Sequence, residues 1–196
     1  MISVIVPTMW RSHRTVEMLE RYADCDMVSE VIVIANAPDM PPAIPKVKVI
    51  TPSENLFVNP SWNLGYAISE GEFICIANDD ITFDVPRVFK DVELVAHVDP
   101  YAIIGAGGSA GYVKKCKARP HGWGIFMFMH RNAFALIPND LKVSFGDDWL
   151  FESTEARYAA PMRWFETEMS TTSREPWAIE QAERDGVTWK YYQKCT

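Results

Sequence analysis

The feature that most constrains this chain is a series of unbroken apolar runs, each passed on to a helix. Ile2 to Val6 is short, β-branched and closed by Pro7. Val31 to Ala35, Val47 to Ile50 and Phe73 to Ala77 repeat the pattern. Helix signals lie between them. Ser12 is placed to cap a helix through about Ala23, with Val16, Leu19 and Ala23 on one face. Asn59-Pro60 marks a second start, running to about Ser69 and stopping at Gly71. Pro86 opens a third, with Val88, Phe89, Val92, Val95 and Ala96 at helical spacing. The Pro-rich stretch Pro38 to Pro45 is a connector. A strand apolar on both faces needs cover on both faces. The reading is therefore an α/β fold with a mostly parallel central sheet in a three-layer α/β/α arrangement. Ligands of such sheets bind beyond the carboxyl ends of the strands. Those ends are Pro7-Thr8, Asn36 and Asn78-Asp79-Asp80, with Arg11 just past the first.

The second half reads differently. Tyr101 to Ile104 is a strand, followed by a Gly-rich, basic segment from Gly105 to Gly124 that reads as a mobile loop at the rim of the site. Ile125 to Met129 is a strand and Arg131 to Ile137 a short helix. Gly146-Asp147-Asp148 opens another helix, and Pro176 to Asp185 is a last one, stopped by Gly186. No internal repeat divides the 196 residues. The expectation is one domain over 1–196, with a nucleotide-binding half (1–100) and an acceptor half with a C-terminal extension (101–196).

Charge and cysteine usage exclude several classes. Lys plus Arg is 19 against 26 Asp plus Glu, a formal charge of -7. Such a chain repels phosphate polymers, so nucleic acid is not the default partner. No run approaches the ~20 apolar residues of a membrane span. The segment Met1 to Pro7 lacks the basic start of a signal peptide. Cys25, Cys75, Cys116 and Cys195 form no C-x-x-C pair, which argues against a zinc site or disulfide framework and for a cytoplasmic setting.

Three motifs carry chemistry. In Asn78-Asp79-Asp80, persistent strand geometry would put Asn78 and Asp80 on one side and Asp79 on the other. An acid pair there suits a divalent cation bridging a diphosphate, or simply a turn. Asp147-Asp148 is a helix cap, a general base for a hydroxyl, or one of each. Gly105-Ala106-Gly107-Gly108-Ser109-Ala110 matches a relaxed dinucleotide fingerprint, the basis of an alternative reading as a nucleotide-dependent oxidoreductase. No amphipathic helix follows it, and Lys114, Lys115, Lys117 and Arg119 break the pattern. Among the tryptophans, Trp62 reads as helix packing. Trp10 and Trp123 lie near the cleft, Trp123 between Gly122 and Gly124 as an acceptor platform.

The order of these motifs resembles the family 2 glycosyltransferases. Ser3-Val4-Ile5-Val6-Pro7-Thr8, the strand Glu30 to Ala35, and Asn63-Leu64-Gly65-Tyr66-Ala67 before Gly71-Glu72-Phe73-Ile74 match in sequence and spacing, over about Ile2 to Phe151. Asn78-Asp79-Asp80 stands where that family has its D-x-D motif, and Gly146-Asp147-Asp148 where it has x-E-D. The resemblance implies a Rossmann-like GT-A fold and metal-assisted, inverting transfer from a nucleotide-sugar donor to a glycan or other hydroxyl-bearing acceptor. It places Pro7, Thr8, Arg11, Asn36, Asn63, Asn78 and Asp79 on the nucleotide-sugar side. Asp80 falls on a divalent metal (Mn2+ or Mg2+), Asp148 at the base with Asp147 beside it, and Trp123 and Gly124 on the acceptor side. Two positions depart from the pattern. Asn78 replaces the usual first Asp, and Asn36, with Asp39 just beyond, stands where an Asp often meets the nucleobase. The late His of the family is missing, and Glu166 or Glu168 lies in its region. These departures motivate a second alternative, a non-catalytic nucleotide- or glycan-binding module on the same fold.

Overall fold

A computed structural model describes residues 1–38, 43–168 and 174–195. Strand β1 (Ile2–Thr8) leads through α1 (Thr15–Asp24) to β2 (Val28–Ala35) and then β3 (Val47–Ile50). Helix α2 (Val58–Ile68) returns the chain to β4 (Phe73–Ala77), and the two-residue β5 (Ile81–Thr82) precedes α3 (Val85–Val98). Then come β6 (Ile103–Gly108), β7 (Lys114–Lys115), β8 (Phe126–His130), α4 (Gly146–Glu152), β9 (Arg157–Pro161), β10 (Glu166–Thr167) and α5 (Pro176–Cys195). Eight strands form one sheet in the order β3-β2-β1-β4-β8-β6-β9-β7. From β3 to β4 all neighbours are parallel. β8 enters antiparallel between β4 and β6, β6 and β9 are parallel again, and β7 closes the edge antiparallel to β9.

The alternation of side chains along β1 explains the layers. Val4 and Val6 enter one core with Met18, Leu19 and Tyr22 of α1 and Val88, Phe89 and Val92 of α3. Ile5 points the other way, into a core with Trp62 of α2, Leu150 of α4 and Trp189 of α5. Each fully buried Val, Ile or Leu contributes roughly 1.5–3 kcal/mol. The sheet is therefore held from both faces, as continuous apolar strands demand. Strand β1 sits between β2 and β4, so the carboxyl ends of all three meet at one edge of the sheet.

Local readings needed correction where a tertiary partner replaced a local one. Ser12 does not cap α1. Its Oγ accepts from the Arg14 N–H (3.1 Å) and donates to Glu168 (2.9 Å), turning the chain two residues before the helix. Asn59 lies inside α2, whose first N–H groups, those of Val58 and Asn59, donate instead to the Lys142 carbonyl (3.0 and 2.9 Å). That helix runs to Ile68, within a residue of the expected end, and Ser69 rather than Gly71 caps it. Gly105 to Gly108 are strand, not loop, because β8 and β9 pair with them. A paired strand is not the strand-to-helix turn of a dinucleotide fingerprint, so that motif does not support an oxidoreductase. Further along the same segment, Lys114 and Lys115 pair with β9 as well. The helix expected over Arg131 to Ile137 is a single 3-10 turn at Arg131–Ala133. Helix α5 runs through Gly186 to Cys195, since the buried Asp185 and Trp189 flanking that glycine outweigh its cost of about 1 kcal/mol.

Candidate functional site

Where β1, β2 and β4 end, a cleft of about 200 Å³ opens. Pro7, Thr8, Asn36, Asn78, Asp79 and Asp80 line it, as expected from their strand ends. Residues without a sequence signal join them: Asn55, Phe57 and Val143 from loops, and Trp177 and Ala178 from the first turn of α5. The Phe57 and Trp177 rings meet at 5.8 Å. Arg11 does not line the cleft. It forms an ion pair with Glu175, just before that turn.

The acid pair is built by hydrogen bonds rather than by strand alternation. β4 ends at Ala77, and the chain turns, so Asp79 and Asp80 both reach the cleft instead of facing opposite sides. Asp79 accepts from the Thr8 hydroxyl (2.5 Å), and the same hydroxyl accepts from the Trp10 N–H (2.8 Å). Burial raises the Asp79 carboxyl to about 6, the Thr8 bond pulling it back and the Asp80 charge adding to the rise. Asp80 is only 5% exposed. Burial raises its carboxyl too. Its Oδ2 is 3.4 Å from the Thr167 hydroxyl, while its buried Oδ1 has no hydrogen-bond partner. A buried carboxylate oxygen left unpartnered is costly. The pair thus fits a cation that would neutralise it, although among the described residues no three His, Cys, Asp or Glu side chains are grouped to hold one. Glu168 comes near, with its N–H on the Asp80 carbonyl (3.3 Å), but its carboxylate is engaged by Ser12, His13 (2.7 Å) and Arg14 (3.5 Å). Glu166 is exposed on β10.

The Asn positions do other work. Asn36 donates to the Ser61 hydroxyl (3.0 Å) and the Phe57 carbonyl (3.4 Å) and accepts from the Leu56 N–H (2.9 Å). It shapes the turn that carries Phe57. Asp39 lies outside the described residues. Asn63 is a correction. It points away from the cleft and clasps the Ile137 main chain, donating to its carbonyl (2.8 Å) and accepting from its N–H (3.0 Å).

The second acid pair opens α4. A side chain on Gly146 would strike Asn59 (2.1 Å), and one on Gly124 would strike Asp147 (2.6 Å), so both glycines are required by close packing. Burial raises the Asp147 carboxyl, against the lowering effect of Arg119. The Arg119 guanidinium spans the pair, its Nη1 on Asp147 and its Nε on Asp148, each at 2.6 Å. Charge-assisted forks of this kind are among the stronger polar contacts. Arg119, named in the sequence only as one cation of a loop, is thus the partner of both acids. Trp123 is a second correction. It is fully buried, edge-on to Phe151 (5.3 Å), with its Nε1 donating to the Tyr158 carbonyl (3.0 Å). A ring inside the core presents no face to an acceptor. Its bulk explains Gly105, where a Cβ would stand 2.3 Å from the indole. Trp62 is buried in helix packing and Trp10 borders the core under α1.

No protein-family model matches the sequence, and no curated protein does. Solved structures do. The chain superposes on the S. aureus TarS fragment 1–349 with a TM-score of 0.57 and 15% identity, over 82% of this chain and 60% of that one. The same fragment in complex with UDP gives the same values. A longer TarS structure matches at TM-score 0.57 and 16% identity, over 82% of this chain and 35% of that one. The match therefore spans less than two thirds of these neighbours' lengths. At this identity it shows the fold: a mixed α/β architecture with a large, mostly parallel sheet flanked by helices, similar to that of the TarS glycosyltransferase. No helix among the described residues is long and apolar enough to cross a membrane.

Proposed function

We propose that this chain moves a sugar, a hexose by the resemblance, from a nucleotide-sugar donor to an acceptor hydroxyl with inversion. The observation that carries the reading is Asp80. Its buried, unpartnered oxygen stands beside Asp79, whose carboxyl burial raises to about 6, at the sheet edge where α/β folds bind ligands. That a fold neighbour is known in complex with UDP supports a nucleoside diphosphate as the occupant of the cleft. Asp80 and Asp79 would hold a divalent cation, Mn2+ or Mg2+, which when bound neutralises charge on the departing diphosphate. Phe57 and Trp177 wall the cleft with aromatic surface, and the Thr8 hydroxyl orients Asp79. In the transfer, the acceptor oxygen bonds to the anomeric carbon as the bond to the diphosphate breaks, and the hydroxyl proton passes to Asp148. Base assistance of this kind is worth typically 10²–10⁴-fold. Arg119 engages only Oδ1 of Asp148, so it would orient the carboxylate while Oδ2 takes the proton.

That same fork is what favours a second reading, a non-catalytic nucleotide- or glycan-binding module in which Arg119 holds both acids in a structural role. A thermal-shift and turnover panel separates the two. UDP with manganese is expected to raise the melting temperature of wild type and not of Asp80→Ala, and a set of UDP-sugars is expected to release UDP in its presence. Stabilisation without turnover leaves the binding module. Equal shifts in wild type and Asp80→Ala, with manganese or chelator, overturn the site itself.

A further inference from the structure

We propose that Asp185, on α5 and outside the cleft, is a positioning residue that sets the Asp147–Asp148 pair through the segment 142–146. Its carboxylate is completely buried. Oδ2 accepts from the Val143 and Ser144 N–H groups, each at 2.7 Å. Oδ1 accepts from the Lys142 N–H (3.1 Å) and the Gln181 amide (2.9 Å). Three consecutive main-chain donors converging on one carboxylate fix that stretch of backbone more firmly than neutral acceptors would. A charge taken out of water needs such compensation, and here it comes from the very residues that lead to the acids.

The rest of the segment is held just as tightly. The Lys142 carbonyl accepts from the first N–H groups of α2, and the Ser144 carbonyl accepts from Asn59 (3.0 Å). Phe145 takes a left-handed conformation (φ 64°), and its ring stacks on Trp189 at 5.6 Å. Asp185 and Trp189 are one helical turn apart, so α5 grips the segment at two points on one face. Gly146, Asp147 and Asp148 follow at once, and Val143 itself lines the cleft. The first turn of the same helix contributes Trp177 and Ala178 to that cleft. One rigid helix thus links the nucleotide wall to the second acid pair. Loss of the Asp185 anchor loosens both without touching either.

The test uses the full chain and two readouts, one independent of enzyme activity; the turnover arm rests on the function proposed above. Asp185→Asn keeps the shape but puts an amide N–H₂ against main-chain donors. Hydrogen exchange is expected to quicken at least tenfold at 142–144 and also at 146–149, with β1 unchanged. Turnover of the donor sugar is expected to fall at least tenfold, at a temperature well below the melting point. Phe89→Leu, a core substitution on the other face of the sheet, serves as the stability control, with kcat expected to stay near wild type. If Asp185→Asn does not fold, Gln181→Met removes one of the four donors, and about a threefold change in both readouts is expected. Faster exchange confined to 142–144, or wild-type kcat in the variant, overturns the proposal. Absence of transfer by wild type with every donor overturns the proposed function instead, and exchange at 146–149 alone then decides the role of Asp185.

Discussion

Replacing Asp79 by Asn should make this protein more stable at neutral pH and not at acid pH. Asp79 carries a carboxyl raised from an ordinary 3.8 to about 6, chiefly by burial. Between those values the folded protein keeps a proton that the unfolded chain has lost. Stability therefore falls as pH rises through that window and stays lowered above it. The shift is about two units, and each unit corresponds to about 1.4 kcal/mol, so the penalty is roughly 3 kcal/mol at most. Asp79→Asn keeps an oxygen for the Thr8 hydroxyl and removes the charge. For a chain of this size about 1 kcal/mol moves the melting temperature by roughly 2–4 °C. At pH 7.5 the variant should melt up to ~10 °C higher than wild type, and the difference should shrink as pH falls and vanish only below the ordinary value of 3.8. Scanning calorimetry from about pH 3 to pH 8 measures this directly. A difference that stays constant across the range, or a variant less stable at every pH, would refute the reasoning. The sign also bears on the proposed cation, which would offset part of that penalty at neutral pH. Manganese should therefore stabilise wild type above pH 6 more than it stabilises the variant.

Further outcomes are expected elsewhere. Asp148→Asn should cut transfer by 10²-fold or more while the nucleoside diphosphate still binds, as read by single-turnover rates and calorimetric titration on one preparation. Glu30, buried at the opposite end of the sheet, resists the upward pull of burial because Lys48 (2.8 Å), Ser3 (2.7 Å) and the Glu70 N–H (2.7 Å) hold its carboxyl below the usual value. Glu30→Gln should therefore cost about 1–3 kcal/mol at pH 7 in urea unfolding. That gap should close as pH falls through the folded-state value, where wild type loses the same contribution. Gly186→Ala should add up to about 1 kcal/mol, since the new methyl meets nothing nearer than the Phe145 ring at 3.9 Å; an unchanged or lower melting temperature would show that the helix needs the glycine.

The sheet and the first acid pair were legible in the sequence because their signals are local. Apolar runs name buried strands, and a strand's last residues mark a ligand edge without any knowledge of the partner strands. Distant partners decided what was missed. Asn63 has the look of a site residue, but its role depends on Ile137, 74 positions away. Trp123 stands between two glycines, which suggests exposure, yet the space that takes its ring is made by a third glycine, Gly105. Arg119 and Asp185 carry no motif at all. A lone Arg in a basic stretch and an Asp in a helix acquire meaning only when folding brings acids or main-chain donors against them. A Pro at the start of α5 did signal a helix, but nothing local said that its first turn would wall the cleft.

The placement of α5 has a consequence for how the cleft comes into being during synthesis. Along the chain, the strand ends and both acid pairs are complete by Asp148. The wall from Trp177 and the anchors Asp185 and Trp189 come out only afterwards. At ~5–20 residues per second, the 20 residues of α5 take about 1–4 s to add. Until then the groove that Asp79 and Asp80 line lacks its Trp177 wall. Closure of the pocket therefore has to wait for α5, the latest in chain order of the elements that line it.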